Sequence, residues 1–333
     1  MKKYNVAIMG ATGAVGTEFL SILAERNFPI NSLRLLASSR SAGKKLSFAN
    51  TQITVEELTH ESFNNIDIVL ASAGGSISAE FAPSAVKAGA VVVDNTSYFR
   101  MKEGVPLVIP EINPQDIKTH KGIIANPNCS TIIMLLPLYP LHKAFGVTHV
   151  HACTYQAASG AGAVAMDELK KETAAYLEGK SFSRTIIPHQ YAFNLFPHNS
   201  KLLENGYCEE ENKMIIETKK IFHEPDFCVN ASCVRVPILR AHSESLNITF
   251  AKEAGIDEIY NVLKQSPGIE IFEDRAKNRW PMPADASGKD PVLVGRIRKD
   301  ISKERTIDLW VVGDQIRKGA ALNAVQIAEQ LIQ

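Results

Sequence analysis

Apolar residues in the first third of the chain fall into short unbroken runs separated by glycine-rich or polar turns. Residues 4–9, 33–37, 66–71, 91–94 and 122–125 have this form, which suits strands buried on both faces. Stretches of helical periodicity lie between them, one ending near Arg26 and another near Ala88. This alternation predicts a parallel, doubly wound sheet through about residue 126. The pattern then changes. Residues 147–156 alternate apolar and other side chains and predict a long strand, followed by a helix to about Leu177. Residues 180–212 are rich in His, Asn, Phe and Pro without a period, and predict an irregular inserted lobe. Residues 211–222 are helical in pattern, and 227–237, 246–250, 292–298 and 306–312 read as strands of a larger mixed or antiparallel sheet. Residues 320–331 have an apolar helical face expected to pack back on the first domain.

The expected class is therefore α/β: a Rossmann-type doubly wound parallel domain plus an α+β domain with a mixed sheet. The expected domains are 1–128 with 316–333, and 129–315. A length of 333 residues agrees with two domains. Lys plus Arg equals Asp plus Glu at 36 each, so no net field recruits nucleic acid or an anionic membrane. No apolar run approaches a membrane span of about 18 residues. Met1-Lys2-Lys3 faintly imitates a secretion signal, but Gly10, Thr12 and Gly13 interrupt the apolar part. The cysteines, 129, 153, 208, 228 and 233, are odd in number and lack paired metal-type spacing. They point to reduced thiols in the cytoplasm. The nine histidines form no metal-ligand motif.

The loop Gly10-Ala11-Thr12-Gly13-Ala14-Val15-Gly16 stands between a strand and a helix. Glycines there let a backbone approach a pyrophosphate and aim helix N-terminal N–H groups at it. Outside that context it is a plain turn. The second strand ends in Ser38-Ser39-Arg40-Ser41-Ala42-Gly43-Lys44, with no carboxylate to take a ribose 2′-OH. Arg40 with adjacent hydroxyls suits a 2′-phosphate, which favours NADP over NAD; the alternative is a pair of solvated loop charges, Arg40 and Lys44. Arg100 follows the strand at 91–94, where open α/β sheets bind ligands, and is an anion clamp or a surface cation.

Cys129 lies at a turn from an apolar strand run into an apolar helix start. Helix N-terminal N–H groups and the dipole favour an anion there, and the reactive form of a thiol is its anion. The window alone fits a small buried hydrophobe equally well. Pro137 and Pro140 predict that the following helix is short or kinked. Glu217 and Lys220 share a helix face, as site residues or an exposed ion pair. Arg235 and His242 stand across one strand connection, and a lone His there is either a structural group or a base. Arg240, near His242, is a cation expected to depress the imidazole pKa. A thiol beside a nicotinamide suggests acyl-level chemistry through a thiohemiacetal and a thioester.

These segments, together with Asn126-Pro127-Asn128-Cys129-Ser130-Thr131, Thr154-Tyr155-Gln156, Ser159-Gly160-Ala161-Gly162, Arg235-Val236-Pro237, Ala241-His242-Ser243 and residues 313–321 (GDQIRKGAA), closely resemble the aspartate-β-semialdehyde dehydrogenase family. The resemblance runs essentially end to end. It implies reversible conversion of L-4-aspartyl phosphate and NADPH to L-aspartate 4-semialdehyde, phosphate and NADP⁺. That step leads toward lysine, diaminopimelate, methionine and threonine. It further implies Cys129 as the nucleophile, His242 as general acid/base and Gln156 as the residue orienting the acyl group. Arg235 and Glu217 would clamp the substrate carboxylate and amine, and Arg100, Asn128 and Lys220 would hold phosphate, with Lys219 as the alternative to Lys220. Thr12, Gly13, Ala14, Val15, Arg40, Ser41, Ser159, Gly160 and Gln315 would contact NADP. The resemblance also implies a homodimer or homotetramer contacting through the second-domain sheet.

Rival readings are an N-acetyl-γ-glutamyl-phosphate reductase, which shares the thioester logic, and a glyceraldehyde-3-phosphate dehydrogenase, which the Cys129 and Ser38-Ser39-Arg40 segments fit poorly. Glu217 placed for an amine favours the aspartyl substrate. A non-catalytic NADP-binding sensor would not need Cys129, Gln156, Arg235 and His242 together.

Overall fold

The computed structural model describes residues 2–333. Strand β1 (Tyr4–Met9) is fully buried over its last four residues. It feeds helix α1 (Ala14–Glu25), which buries Phe19, Leu20, Ile22 and Leu23. Then come β2 (Ile30–Ala37), β3 (Lys45–Phe48), β4 (Thr51–Glu57), β5 (Ile68–Ala71), α2 (Gly75–Lys87), β6 (Val91–Asp94) and β7 (Ile123–Ala125). They form one seven-stranded sheet, ordered β3-β4-β2-β1-β5-β6-β7. Every pairing is parallel except β3 with β4. The chain leaves β1 toward β2 on one side and later returns on its other side at β5. That reversal makes a crevice at the carboxyl end of β1, where such sheets bind ligands.

The antiparallel β3–β4 hairpin escaped the sequence pattern. Strand β3 is short and at the sheet edge, and Leu46, Phe48 and Ile53 are only half-buried against the core. The alternation was present but weak, and Ala49 makes the turn at φ +49°.

The terminal helix, Leu322–Leu331, places Leu322, Val325, Ile327 and Ala328 in the same apolar cluster as Phe19 and Leu23 of α1. Arg26 grips Glu329 through two hydrogen bonds of 2.7 Å. Residues 320–333 thus join 1–128 in one compact unit, and 129–319 form the other.

The second unit starts with α3 (Cys129–Phe145), which contains both Pro137 and Pro140 and continues for 17 residues. Of the two expectations, a short helix or a kinked one, the first is corrected. Each proline removes one backbone hydrogen bond, at about 3 kcal/mol or more. The helix is apolar all round and buried from Ser130 through Leu138, so burial of several large side chains, about 1.5–3 kcal/mol each, offsets the loss. After it come β8 (Val147–Gln156), α4 (Ala163–Leu177), β9 (Phe196–Pro197), α5 (Glu209–Phe222), β10 (Val229–Arg235), β11 (His242–Phe250), α6 (Ile256–Lys264), β12 (Ile269–Ile271), β13 (Val292–Lys299) and β14 (Thr306–Gly313). The sheet is mixed and ordered β12-β13-β14-β11-β8-β10-β9. The α6–β12 segment was not foreseen.

The irregular lobe is shorter than expected, because α5 begins at Glu209. Two carboxylates four residues apart on α4 hold it. Glu168 accepts backbone N–H groups of Thr185, Ile186 and Ile187 at 2.7–3.0 Å. Glu172 accepts those of Tyr191 and Ala192 at 2.9 and 3.1 Å. Burial pushes the Glu168 pKa up, but the hydrogen bonds from Ile187, Thr185 and Ile186 outweigh it and leave it below the ordinary value.

Candidate active site

Strand register assembles the site of the second unit. Gln156 ends β8, Arg235 ends β10, and His242 opens β11. Arg235 pairs directly with Gln156. Ser243 pairs with Tyr155, which brings His242 to the same end of β8. His242 therefore stands on the strand itself, not in the connection where its sequence context put it. All three side chains are at most 5% exposed.

Cys129 is half-buried and is the first residue of α3. Its neighbour Ser130 accepts a 2.9 Å hydrogen bond from Gln156 Nε2. The same amide nitrogen faces Glu210 Oε1 at 3.4 Å. A carboxylate only accepts, so Glu210 holds the NH₂ edge of Gln156 toward itself and the carbonyl edge away. Gly319 lies against the thiol-bearing residue. A Cβ there would stand 3.0 Å from Cys129 Cβ and 3.3 Å from its Cα, so any larger residue would displace Cys129.

His242 is fully buried. Its Nδ1 accepts the Ala157 backbone N–H at 3.1 Å. The neutral ring therefore carries its proton on Nε2. Burial and then the Arg235 charge push its pKa down to about 3, against a smaller upward pull from Glu210. The cation that acts is Arg235, not Arg240 as expected. The Arg240 guanidinium instead meets Asp314 at 2.7 Å. Arg235 is anchored by Nη1 donating to Ala157 O at 3.0 Å. A Cβ on Gly160 would come 2.8 Å from that Nη1 and 3.1 Å from His242 Nε2, so Gly160 leaves the approach to both groups open.

On α5, Glu210, Lys213, Glu217 and Lys220 follow one another at helical spacing. Glu217 is 1% exposed. Burial lowers the Lys220 pKa and the charge of Glu217 raises it, burial being the stronger. Glu210 was missed in the sequence, although it stands seven residues before Glu217 on the same face. Gln315 Oε1 accepts the Ala241 N–H at 2.8 Å, and its amide nitrogen donates to Ser159 Oγ. Ser159, Gly160 and Gln315 thus cluster around the residues before His242.

The other candidates belong to the first unit. A cleft of about 550 Å³ joins Gly10, Thr12 and Gly13 to Ser38, Ser39 and Arg40. Thr12 Oγ1 lies 3.5 Å from Ser41 Oγ. Ala14 and Val15 open α1, whose first turn holds no acid, so nothing there competes with a bound anion. A Cβ on Gly16 would fall 2.1 Å from Gly10 O; the tight turn exists only without one. One carboxylate does line this cleft. Glu57 ends β4, and register sets it opposite Ala37 at the end of β2. It was invisible in the sequence because β4 itself was. Arg100 is buried and donates to Asn95 O at 2.9 Å. Asn128 is 6% exposed. Arg100 and Asn128 are thus in the first unit and Lys220 in the second.

A model of the semialdehyde dehydrogenase NAD-binding domain matches residues 5–120, and one of the semialdehyde dehydrogenase dimerisation domain matches 138–318. The aspartate-semialdehyde dehydrogenase of Synechocystis sp. is 55% identical over 98% of this chain and 97% of its own. The chain belongs to the aspartate-semialdehyde dehydrogenase family. Structures of the family agree with the fold. The aspartate semialdehyde dehydrogenase II of Vibrio cholerae, solved with ASA, superposes with a TM-score of 0.97 at 46% identity, covering 100% of this chain and 99% of that one. The Candida albicans enzyme, solved with NADP, does so with a TM-score of 0.75 at 26% identity and 99% coverage of both. Among the described residues, no helix is long and apolar enough to cross a membrane.

Proposed function

We propose that this chain is an NADP-dependent aspartate-semialdehyde dehydrogenase. It interconverts L-4-aspartyl phosphate with L-aspartate 4-semialdehyde and phosphate, in the biosynthesis of lysine, diaminopimelate, methionine and threonine. The observation that carries the reading is Cys129 at the start of α3, beside the Ser130–Gln156 hydrogen bond and one end of the Gln156–Arg235–His242 row.

In the direction of semialdehyde oxidation, the Cys129 thiolate adds to the aldehyde carbon and the carbonyl electron pair moves to oxygen. The Nε2–H of His242 donates to that oxygen and stabilises its charge. This is narrower than a general acid/base, and follows from the Ala157 bond to Nδ1. The chemistry that a bound NADP⁺ supplies is hydride uptake, which leaves an acyl thioester on Cys129. A phosphate oxygen then attacks the thioester carbon, the C–S bond breaks, and the thiolate returns. Arg235 grips the substrate carboxylate and Glu217 its amine. Arg100, Asn128 and Lys220 hold phosphate, and the Gln156 carbonyl edge orients the acyl group.

The first-unit cleft fits NADP. The glycine turn admits a pyrophosphate, and Arg40 with Ser39 and Ser41 suits a 2′-phosphate. Thr12, Gly13, Ala14 and Val15 would border the pyrophosphate. Ser159, Gly160 and Gln315 would serve the nicotinamide end. We further infer a cytoplasmic homodimer. One face of β8 and β11 is fully buried, while the alternate residues, including Cys153, Tyr155 and Asn247, are half-buried and available to a partner.

The test is NADPH formation from L-aspartate 4-semialdehyde, phosphate and NADP⁺. Turnover should require phosphate and fall by about 10⁴-fold or more in Cys129→Ala. Phosphate-independent turnover, or activity surviving in the variant, would reject the thioester route.

A further inference from the structure

Tyr191 belongs to the irregular lobe, yet it is only 2% exposed. Its ring meets Phe196 edge-on at 5.3 Å and packs in a cluster with Ala158, Leu169 and Ile187. Phe196 is the residue opposite Arg235 in the β9–β10 ladder. Arg235 in turn holds the carbonyl of Ala157, the residue preceding Ala158. Two chains of contact, one through Phe196 and one through Ala157 and Ala158, therefore put Tyr191 and Arg235 in one neighbourhood. The Arg235 charge reaches the phenol, opposing the burial that pushes the Tyr191 pKa up to about 12.

The Tyr191 hydroxyl has no hydrogen-bond partner among the described residues, and neither has Arg235 Nε. Phenylalanine would make the same ring contacts without stranding a buried hydroxyl, which is unfavourable unless something satisfies it. Arg Nε can only donate, and the Tyr191 hydroxyl, which takes no hydrogen bond from it, still has its own proton to place. Two neighbouring buried donors call for one acceptor with several lone pairs. A carboxylate supplies about four such sites. The other titratable groups facing Arg235 do not meet this need. His242 directs Nε2 to the reacting oxygen. His198 uses Nδ1 to accept the Ser200 backbone N–H at 3.2 Å, and burial and then Arg235 push its pKa down to about 4. Glu210 faces Gln156 and Lys213.

We propose that Tyr191 donates its hydroxyl to the substrate carboxylate held by Arg235, as a second determinant of specificity for that group. This rests on the reading of Arg235 as the carboxylate clamp of an aspartate-semialdehyde dehydrogenase. A hydrogen bond to a charged group, lost without loss of the catalytic groups, appears in KM rather than kcat.

The experiment is steady-state kinetics of the full-length wild type, Tyr191→Phe, Arg235→Lys and the double variant. In Tyr191→Phe, KM for L-aspartate 4-semialdehyde should rise about ten- to thirtyfold. Its kcat and its KM values for phosphate and NADP⁺ should stay within about twofold. In the Arg235→Lys background the same change should cost under about threefold, because the two residues share one ligand group. An unchanged KM for the semialdehyde would overturn the proposal and leave the hydroxyl as an unpaired core group. So would equal losses in kcat and in all three KM values, which mark a structural fault. A wild type without phosphate-dependent turnover would reject the enzyme reading itself, and this inference with it.

Discussion

The cleft after β1 draws its parts from the ends of neighbouring strands in the first third of the chain. Its defining groups are backbone atoms and exposed side chains: the turn at Gly10–Gly16, the hydroxyls of Ser38 and Ser39, and Arg40. The Gln156–Arg235–His242 row draws on residues up to 86 positions apart, and its groups are buried. These side chains of the cleft are solvated, and its pieces are local. In the row, burial strips water from each group, so one charge there changes its neighbours strongly. The pKa of His242, pushed down by burial and then by Arg235, demonstrates this.

The largest expected effect sharpens that contrast. His242→Ala should lower kcat about 10²–10³-fold by removing the Nε2 donor. The acid limb of kcat/KM should survive, because a ring with a pKa of about 3 does not titrate in the working range. Disappearance of that limb in the variant would restore the general-base role. Next is the cleft. Gly16→Ala puts a Cβ 2.1 Å from Gly10 O and 2.8 Å from Ala11 backbone atoms. It should cost about 3 kcal/mol in urea denaturation and abolish tight NADP binding. A normal urea midpoint would mean that the turn relaxes freely.

A smaller effect is expected at the cleft rim. Arg40→Ala should raise KM for NADP⁺ about tenfold and leave KM for NAD⁺ nearly unchanged. Equal changes for both cofactors would remove Arg40 from the 2′-phosphate site and direct attention to Glu57.

The smallest effect returns to β11. Glu244, two residues after His242, is fully buried, and neither carboxylate oxygen has a partner among the described residues. Burial holds its pKa well above 4.5. The folded state thus keeps a proton that the unfolded chain releases near pH 4.5, so stability from this group falls as pH rises above that value. Glu244→Gln should raise the melting temperature more at pH 8 than at pH 5. His242 has the opposite sign. Its depressed pKa removes stability as pH falls from 6.5 toward about 3. An equal shift for Glu244→Gln at both pH values would show that the carboxyl finds a partner.

Legibility in the sequence followed the range of the interactions. Five of the six parallel strands and the turn after β1 were read directly, since unbroken apolar runs and glycines are local signals. The β3–β4 hairpin was not, because an edge strand with one half-buried face leaves only a faint alternation. Glu57 stayed hidden with it. Pro137 and Pro140 were weighed by local helix chemistry, and tertiary burial of α3 decided otherwise. Cys129 stood out by its place at a helix start and Arg235 and His242 by flanking one strand connection, but Gln156, and the roles of all three strand-end residues, came only through resemblance to a family. Nothing local joins them; the pairing of β8 with β10 and β11 does.

The order of elements, the glycine turn and a thiol at a helix start are properties of neighbouring residues, and the sequence by itself determined them. Which cation acts on His242, which nitrogen of that ring carries the proton, which edge of Gln156 faces Glu210 and what surrounds the Tyr191 hydroxyl were decided by the tertiary structure alone. Each depends on a contact between distant strands or loops and on the exclusion of water around it, and neither is encoded within any one stretch of chain.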